Sequence, residues 1–234
     1  MSGAANGQGA ARLGVDIGGT FTDLALAAGD RLHTLKVLTT HEAPERAVLA
    51  GLDAILAESS LPPSAIGLTI HGTTLATNAL IERKGALTAL VTTEGFRDTL
   101  EIGTESRFEQ YDLFLDKPPP LVPRRLRLPV PERLAADGRV LLPLDEAAVE
   151  ALAPRLRAEG VEAIAVGFLH SFVNPAHEEQ AAAILERALP GVPVTLSCRV
   201  SPEMREYERF STACANAYVQ PRIAAYLGRL ERAL

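Results

Sequence analysis

Residues 14–23 read Gly-Val-Asp-Ile-Gly-Gly-Thr-Phe-Thr-Asp, which places two carboxylates, a glycine pair and two threonine hydroxyls within one short stretch. These residue types at this spacing suit the grip of a polyphosphate. Leu13, Val15 and Ile17 alternate with Gly14 and Asp16, a two-residue period that predicts a strand with Asp16 on the face opposite the apolar set. Gly18 and Gly19 lack Cβ atoms, so backbone amides there approach an anion closely, and Thr20 and Thr22 add hydroxyl donors. A carboxylate beside a polyphosphate is repelled unless a cation lies between them, which makes Asp16 a candidate for holding Mg²⁺ through water, with Asp23 as a second candidate. A bare Asp-x-Gly-Gly also suits an ordinary hairpin turn. The flanking hydroxyls favour the phosphate reading.

A second cluster begins at His71-Gly72-Thr73-Thr74 and reaches Asn78. Here a strand gives way to a helix. Thr73 or Thr74 suits the N-cap, and the amides of the first turn point at whatever lies beyond the strand end. An anionic or polarised ligand fits that position; so does an ordinary threonine cap with His71 hydrogen-bonded at the strand end. Arg97, in Glu94-Gly95-Phe96-Arg97-Asp98, and Arg107 offer bidentate contacts to a carboxylate or phosphate, a geometry that surface ion pairs use equally well.

Strands and helices alternate around these residues. Strands at 24–27 and 32–38 joined at Gly29-Asp30 give an N-terminal antiparallel meander, followed by a helix from Pro44 with Val48, Leu49, Leu52, Ile55 and Leu56 on one face. A strand at 66–70, a helix through Ile81 and a strand at 87–92 complete a β-β-β-α-β-α-β order that predicts a mixed sheet with flanking helices. Residues 116–142, with Pro118-Pro119-Pro120, read as a proline-rich excursion between subdomains at 13–115 and 143–234, and residues 1–12 as a disordered tail. In the second subdomain Asp145 caps a helix that Pro154 must kink, Asn174-Pro175 opens another, and Tyr207, Phe210 and Cys214 share a face of a C-terminal helix that Pro221 kinks or breaks. The fold class expected is α/β.

Composition narrows the function classes. The chain has 234 residues, 47% of them hydrophobic, enough for one large or two small cores. Its longest apolar stretch, near 163–169, is far too short to span a bilayer, and no secretory signal precedes residue 13, so a cytoplasmic protein is expected. The formal charge of −6, and an arginine cluster at Arg124, Arg125, Arg127 and Arg133 that is broken by prolines and has no aromatic partner, argue against nucleic acid. The cluster reads as a solvated loop or edge hairpin. Cys198 and Cys214 have neither zinc spacing nor a disulfide framework, which fits two buried thiols in a reducing compartment.

Taken together, the segments at 14–23, 71–80, 90–98, 111–113, 169–171, 174–178 and 205–209 resemble the N-terminal region of the hydantoinase A / 5-oxoprolinase family, which includes acetone carboxylase subunits. The resemblance runs from Leu13 to Leu230. It implies the two-lobed ATPase fold of actin, sugar kinases and heat-shock chaperones, with the loop beside Asp16 as the first phosphate hairpin. It also implies ATP and Mg²⁺ as cofactors, and phosphorylation of a cyclic amide or ketone carbonyl oxygen as the chemistry. On this reading Gly18, Gly19, Thr20 and Thr22 contact phosphate, Asp16 and His71 are catalytic, and Thr73, Thr74, Asn78 and Arg97 line the substrate side. The second phosphate loop and adenosine pocket of such folds have no counterpart in this sequence. The chain is therefore expected to hold half of a nucleotide cleft, to be inactive alone, and to work with a missing C-terminal lobe or a companion hydantoinase B-type subunit. Self-association through an exposed lobe face is expected as well. Two other readings stay open: a sugar-kinase-like protein, and a non-catalytic scaffold docking a partner through Ile223, Tyr226, Leu227 and Leu230.

Overall fold

The alternating residues at the start of the chain form β1 (Ala11–Ile17), which pairs antiparallel with β2 (Phe21–Ala28), itself antiparallel to β3 (Arg31–Leu38). The computed structural model describes residues 10–104, 109 and 111–233. The expected tail thus lies largely outside the described residues. Pro44 opens α1 (Pro44–Ser59), and Ser60 ends it in the left-handed region with φ 57°. After it, β4 (Ile66–Thr73) joins β1 in parallel, giving a mixed sheet in the order β3-β2-β1-β4, and α2 (Leu75–Ile81) follows. Leu13, Val15, Ile17, Leu24 and Leu26 face α1 and form one core with Val48 and Ile55. Each fully buried aliphatic side chain there contributes about 1.5–3 kcal/mol relative to exposure. Gly51 on α1 lets Leu24 approach so closely that an added Cβ would lie 2.4 Å from its Cδ1.

The next strand, β5 (Thr88–Thr93), does not extend that sheet as the element order had suggested. All six of its residues are buried, so both its faces need cover, and it lies inside a parallel sheet with β6 (Arg127–Val130), β9 (Ala163–Gly167) and β10 (Val194–Leu196), in the order β10-β9-β5-β6. Between β5 and β6 lies a short helix, α3 (Thr99–Ile102). Pro129 is tolerated in β6 because that strand is an edge. A small hairpin, β7 (Arg133–Leu134) with β8 (Val140–Leu142), follows. Asp145 caps the next helix through a bond from the Ala148 amide (2.9 Å), and Pro154 divides the expected single helix into α4 (Glu146–Glu150) and α5 (Ala153–Ala158). α6 (Ala176–Ala188), α7 (Ser197–Val200) and α8 (Glu206–Ala233) complete the chain, with Pro221 inside an unbroken α8.

The described residues up to Glu82, together with those from Ile223 onward, make one unit, and Arg83–Arg222 the other. The division falls between α2 and β5, and residues 116–142 lie within the second unit because they supply its edge strand β6. Tyr226 and Leu230 of α8 are buried in the core of the first unit, while Ile223 is half-buried and Leu227 exposed, so two of the four residues expected to dock a partner subunit are already used by this chain. Arg127 also departs from the expected solvated loop. It is fully buried, its Nε donating to the Val122 carbonyl (3.0 Å) and its Nη2 to Glu101 (2.8 Å). No described helix is long and apolar enough to cross a membrane.

Candidate functional site

Asp16 projects from β1 on the face of the first sheet that α1 leaves open. Across the ladder it stands directly opposite Asp23, and Asp23 in turn stands opposite Lys36 on β3, whose Nζ lies 2.7 Å from it. Two carboxylates at directly opposed positions repel one another, which a nearby cation relieves. On the other side Asp16 neighbours Gly72 of β4; a Cβ at Gly72 would lie 3.3 Å from Asp16 Oδ1, so a larger residue there would crowd the carboxylate. Among the described residues no group of three or more His, Cys, Asp or Glu side chains could enclose a metal.

The turn after Asp16 is closed by the Gly18 amide donating to the Phe21 carbonyl (2.9 Å), and the Thr39 hydroxyl donates to the Gly18 carbonyl (3.1 Å). Gly18 and Gly19 do not adopt positive φ. They are required for space instead. A Cβ at Gly18 would lie 2.9 Å from the Phe21 carbonyl oxygen, and one at Gly19 would lie 3.3 Å from the Asn78 amide nitrogen. Among the described residues the amides of Gly19 and Thr20 take no hydrogen-bond partner, so donors at the tip of the turn remain for a ligand. These donors and the facing carboxylates fit a polyphosphate with its cation.

The second cluster meets the first. The Thr74 amide and hydroxyl both donate to the Ile17 carbonyl (3.1 and 3.3 Å), and Asn78 Nδ2 donates to Thr74 Oγ1 (3.3 Å). Thr73 accepts from the Leu75 amide (3.1 Å) and is exposed beside the end of β1. Residues some 55 positions apart in sequence therefore surround one sheet end: Asp16, Gly18, Gly19 and Thr20 from the hairpin, Thr73, Thr74 and Asn78 from the β4–α2 junction.

Two expected members point elsewhere. His71 pairs in register with Val15, one residue out of step with Asp16, so it lies on the helix-covered face. There its Nε2 is 2.8 Å from the Tyr226 hydroxyl, and burial pulls its pKa below the ordinary value, against the raising effect of Asp16. Thr22 is fully buried on that same face, its hydroxyl bonded to Thr39 (2.9 Å), so it steadies the turn rather than lining it. The two-residue period separates both from the open face. Arg97 belongs to the second unit, where its guanidinium donates to the Arg124 carbonyl (2.8 Å), and Arg107 lies outside the described residues.

A buried polar layer at the C-terminal end of the second sheet is not among the sites read from the sequence. Glu178 accepts from the Phe168 amide (2.9 Å), the Ser197 hydroxyl (2.6 Å) and the Cys198 amide (2.9 Å). Arg209 donates to the Phe168 carbonyl (2.7 Å) and to Ser197 (3.1 Å), and Glu132 bridges Thr93 and His177 (2.7 Å to the latter). Such a layer is stable because its buried charges are paired and hydrogen-bonded. Its members lie far apart in the chain, so no local spacing signals it, although His177, Glu178 and Arg209 stand in the segments that carry the family resemblance.

Comparison with known proteins fits this geometry. The family described as the hydantoinase/oxoprolinase N-terminal region matches residues 12–189. The chain belongs to that family. It is 40% identical to caprolactamase subunit alpha of Pseudomonas jessenii over 229 residues, covering 94% of this chain and 33% of that protein. It is 37% identical to the acetophenone carboxylase gamma subunit of Aromatoleum aromaticum, covering 94% of this chain and 32% of that one. The crystal structure of the ATP-dependent caprolactamase from P. jessenii superimposes with a TM-score of 0.85 at 39% identity, over 94% of this chain and 33% of that chain. The chain thus spans about a third of the length of these hydantoinase/oxoprolinase relatives.

Proposed function

We propose that this chain is the phosphate-gripping region of an ATP-dependent subunit that activates a carbonyl, in a cyclic amide or a ketone, by phosphorylating its oxygen. The observation that carries this reading is the meeting of the hairpin at Asp16–Thr20 with Thr73, Thr74 and Asn78 at one open sheet end. ATP-dependence in the caprolactamase relative supports it. A ring amide is a poor electrophile with a poor leaving group. Bound ATP would supply a phosphoryl group to the carbonyl oxygen; water could then add to the activated carbon, the ring nitrogen would leave as the C–N bond breaks, and a second water would release phosphate from the acyl phosphate so formed.

The residues of this chain hold and orient. The free amides of Gly19 and Thr20 and the Thr20 hydroxyl donate to phosphate oxygens, and the open cluster of donors costs little reorganisation. Asp16, with Asp23 next to it and Lys36 balancing the pair, would hold Mg²⁺ through its water shell, and the ion would neutralise phosphate charge there. Thr73, Thr74 and Asn78 border the same site with hydroxyl and amide groups. His71 acts at one remove: its bond to Tyr226 fixes β4, and with it the Gly72-Thr73 step beside Asp16. The rest of the cleft comes from the remainder of the family polypeptide, working with a companion subunit in the cytoplasm.

The test uses a chimera in which this chain replaces the aligned third of caprolactamase subunit alpha, with its partner subunit present. Lactam-stimulated ATP hydrolysis is expected, and Asp16→Ala should abolish it. Hydrolysis that survives Asp16→Ala, or that ignores every cyclic amide and ketone offered, would reject the proposal.

A further inference from the structure

We infer that Thr39 is a positioning residue that aims the Gly19 amide at phosphate, and that Thr22 acts through it. The inference rests on the proposed reading of the hairpin as a phosphate grip. Thr39 directly follows β3 and stands outside every segment that carries the family resemblance. Three bonds nevertheless tie it to the turn. Its amide donates to the Thr20 carbonyl (2.9 Å), its hydroxyl donates to the Gly18 carbonyl (3.1 Å), and the same hydroxyl lies 2.9 Å from that of Thr22. A threonine hydroxyl carries a single proton. Since the Thr39 proton goes to Gly18, the proton between the two hydroxyls comes from Thr22, and donation runs from Thr22 to Thr39 to the Gly18 carbonyl.

The peptide plane turns this relay into a direction. In a trans peptide the C=O and N–H of one unit point opposite ways, and the unit joining Gly18 to Gly19 is trans. Thr22 is fully buried on the helix-covered face, and the Thr39 hydroxyl bonded to it draws the Gly18 carbonyl toward that side. The Gly19 N–H therefore points to the opposite side, the one from which Asp16 projects. The neighbouring unit is held as firmly: the Gly18 amide donates to the Phe21 carbonyl, and the Ile17 carbonyl accepts from both the amide and the hydroxyl of Thr74. Gly18 thus has both its own polar groups engaged, and the Gly19 N–H is the first donor of the turn left for a ligand.

The relay also strengthens that donor. Hydrogen bonds in series polarise one another, so donation into the Gly18 carbonyl leaves the Gly19 N–H more positive, and a donor already locked in place needs no reorientation as phosphate charge arrives. Thr22 therefore reaches phosphate at one remove, through a second hydroxyl and a peptide. Asp16 and Thr39 divide the work between them. Asp16 serves the cation and Thr39 serves an amide, so the two differ in their dependence on metal.

The test uses Thr39→Val, which keeps the branched shape and the main-chain bond but removes the hydroxyl, and Thr39→Ser, which restores it. ATP affinity of the chimera is measured by titration calorimetry in Mg²⁺ and in EDTA. Thr39→Val is expected to lose about fivefold under both conditions and Thr39→Ser to stay within about twofold of the native sequence. A loss confined to Mg²⁺ would put Thr39 in the service of the cation and overturn the inference, as would no loss at all or an equal loss in Thr39→Ser. Should the Thr39→Val chimera not fold, Thr22→Val breaks the relay at its far end and leaves the Gly18 bond in place; a loss of about twofold under both conditions is expected, and unchanged affinity overturns the relay. The amide itself is read by NMR in the 234-residue chain titrated with tripolyphosphate. The Gly19 resonance should move in the native chain and in Thr39→Ser, and much less in Thr39→Val; a shift indifferent to Thr39 overturns the inference. A native Gly19 resonance that ignores tripolyphosphate refutes the phosphate grip itself. A chimera that shows the Thr39 effect on ATP affinity but no lactam-stimulated hydrolysis refutes the carbonyl activation and leaves the role of Thr39 standing.

Discussion

His71 and Asp16 show how one residue of register decides a role. Both stand near the same strand ends, but Asp16 is opposite Gly72 and His71 opposite Val15, so one faces the open side and the other the helix side. Burial holds His71 below its ordinary pKa, so the folded state favours the neutral ring. The unfolded chain binds the proton first as pH falls. Stability is therefore full above the ordinary value of about 6.5 and declines as pH drops through it toward the lower folded value. Thermal melts between pH 7.5 and 5 should show that decline, and His71→Gln should flatten it; an unchanged slope would remove His71 as its source. Tyr226→Phe, which removes the hydroxyl 2.8 Å from His71, should cost about 1 kcal/mol. The two thiols behave in the same physical way. Burial pushes Cys198 and Cys214 up to about 12, so neither should react with a disulfide reagent at pH 8 until the chain is unfolded.

Elements were legible where local chemistry fixes them. Alternation at 11–17, the proline at the start of α1 and the aspartate cap of α4 each act within a few residues, and each produced the expected element. The placement of β5 was not legible, because a wholly apolar strand says that both faces are covered without saying by which sheet. Of the two outcomes expected at Pro221, a kink or a break, the break does not occur, since α8 runs through it. Gly167, at the end of β9, illustrates packing that sequence alone conceals. A Cβ there would lie 2.5 Å from the buried Phe210 ring, so Gly167→Ala should destabilise the second unit by about 1–3 kcal/mol in urea unfolding. Gly191, with φ 87° and open space around it, is a contrasting case in which the backbone alone requires glycine.

At the scale of the whole molecule, the sequence carried the hairpin and the β4–α2 junction as separate motifs, and the fold brought them to one sheet end. Thr20, Thr73, Thr74 and Asn78 come together at that end, whereas Thr22 and His71 lie on the helix-covered face, because a residue's face follows from the register of the strand beside it. The chain spans about a third of the length of its family relatives, and the proposed phosphate grip lies wholly within that third. The central claim is that Asp16 serves nucleotide binding through a divalent cation. ATP affinity of the chimera, measured by titration calorimetry in Mg²⁺ and in EDTA for the native sequence and for Asp16→Ala, tests it most directly. The account predicts a loss of roughly tenfold or more in Mg²⁺, about 1.4 kcal/mol, and little change in EDTA. An equal loss under both conditions, or none in Mg²⁺, would contradict it.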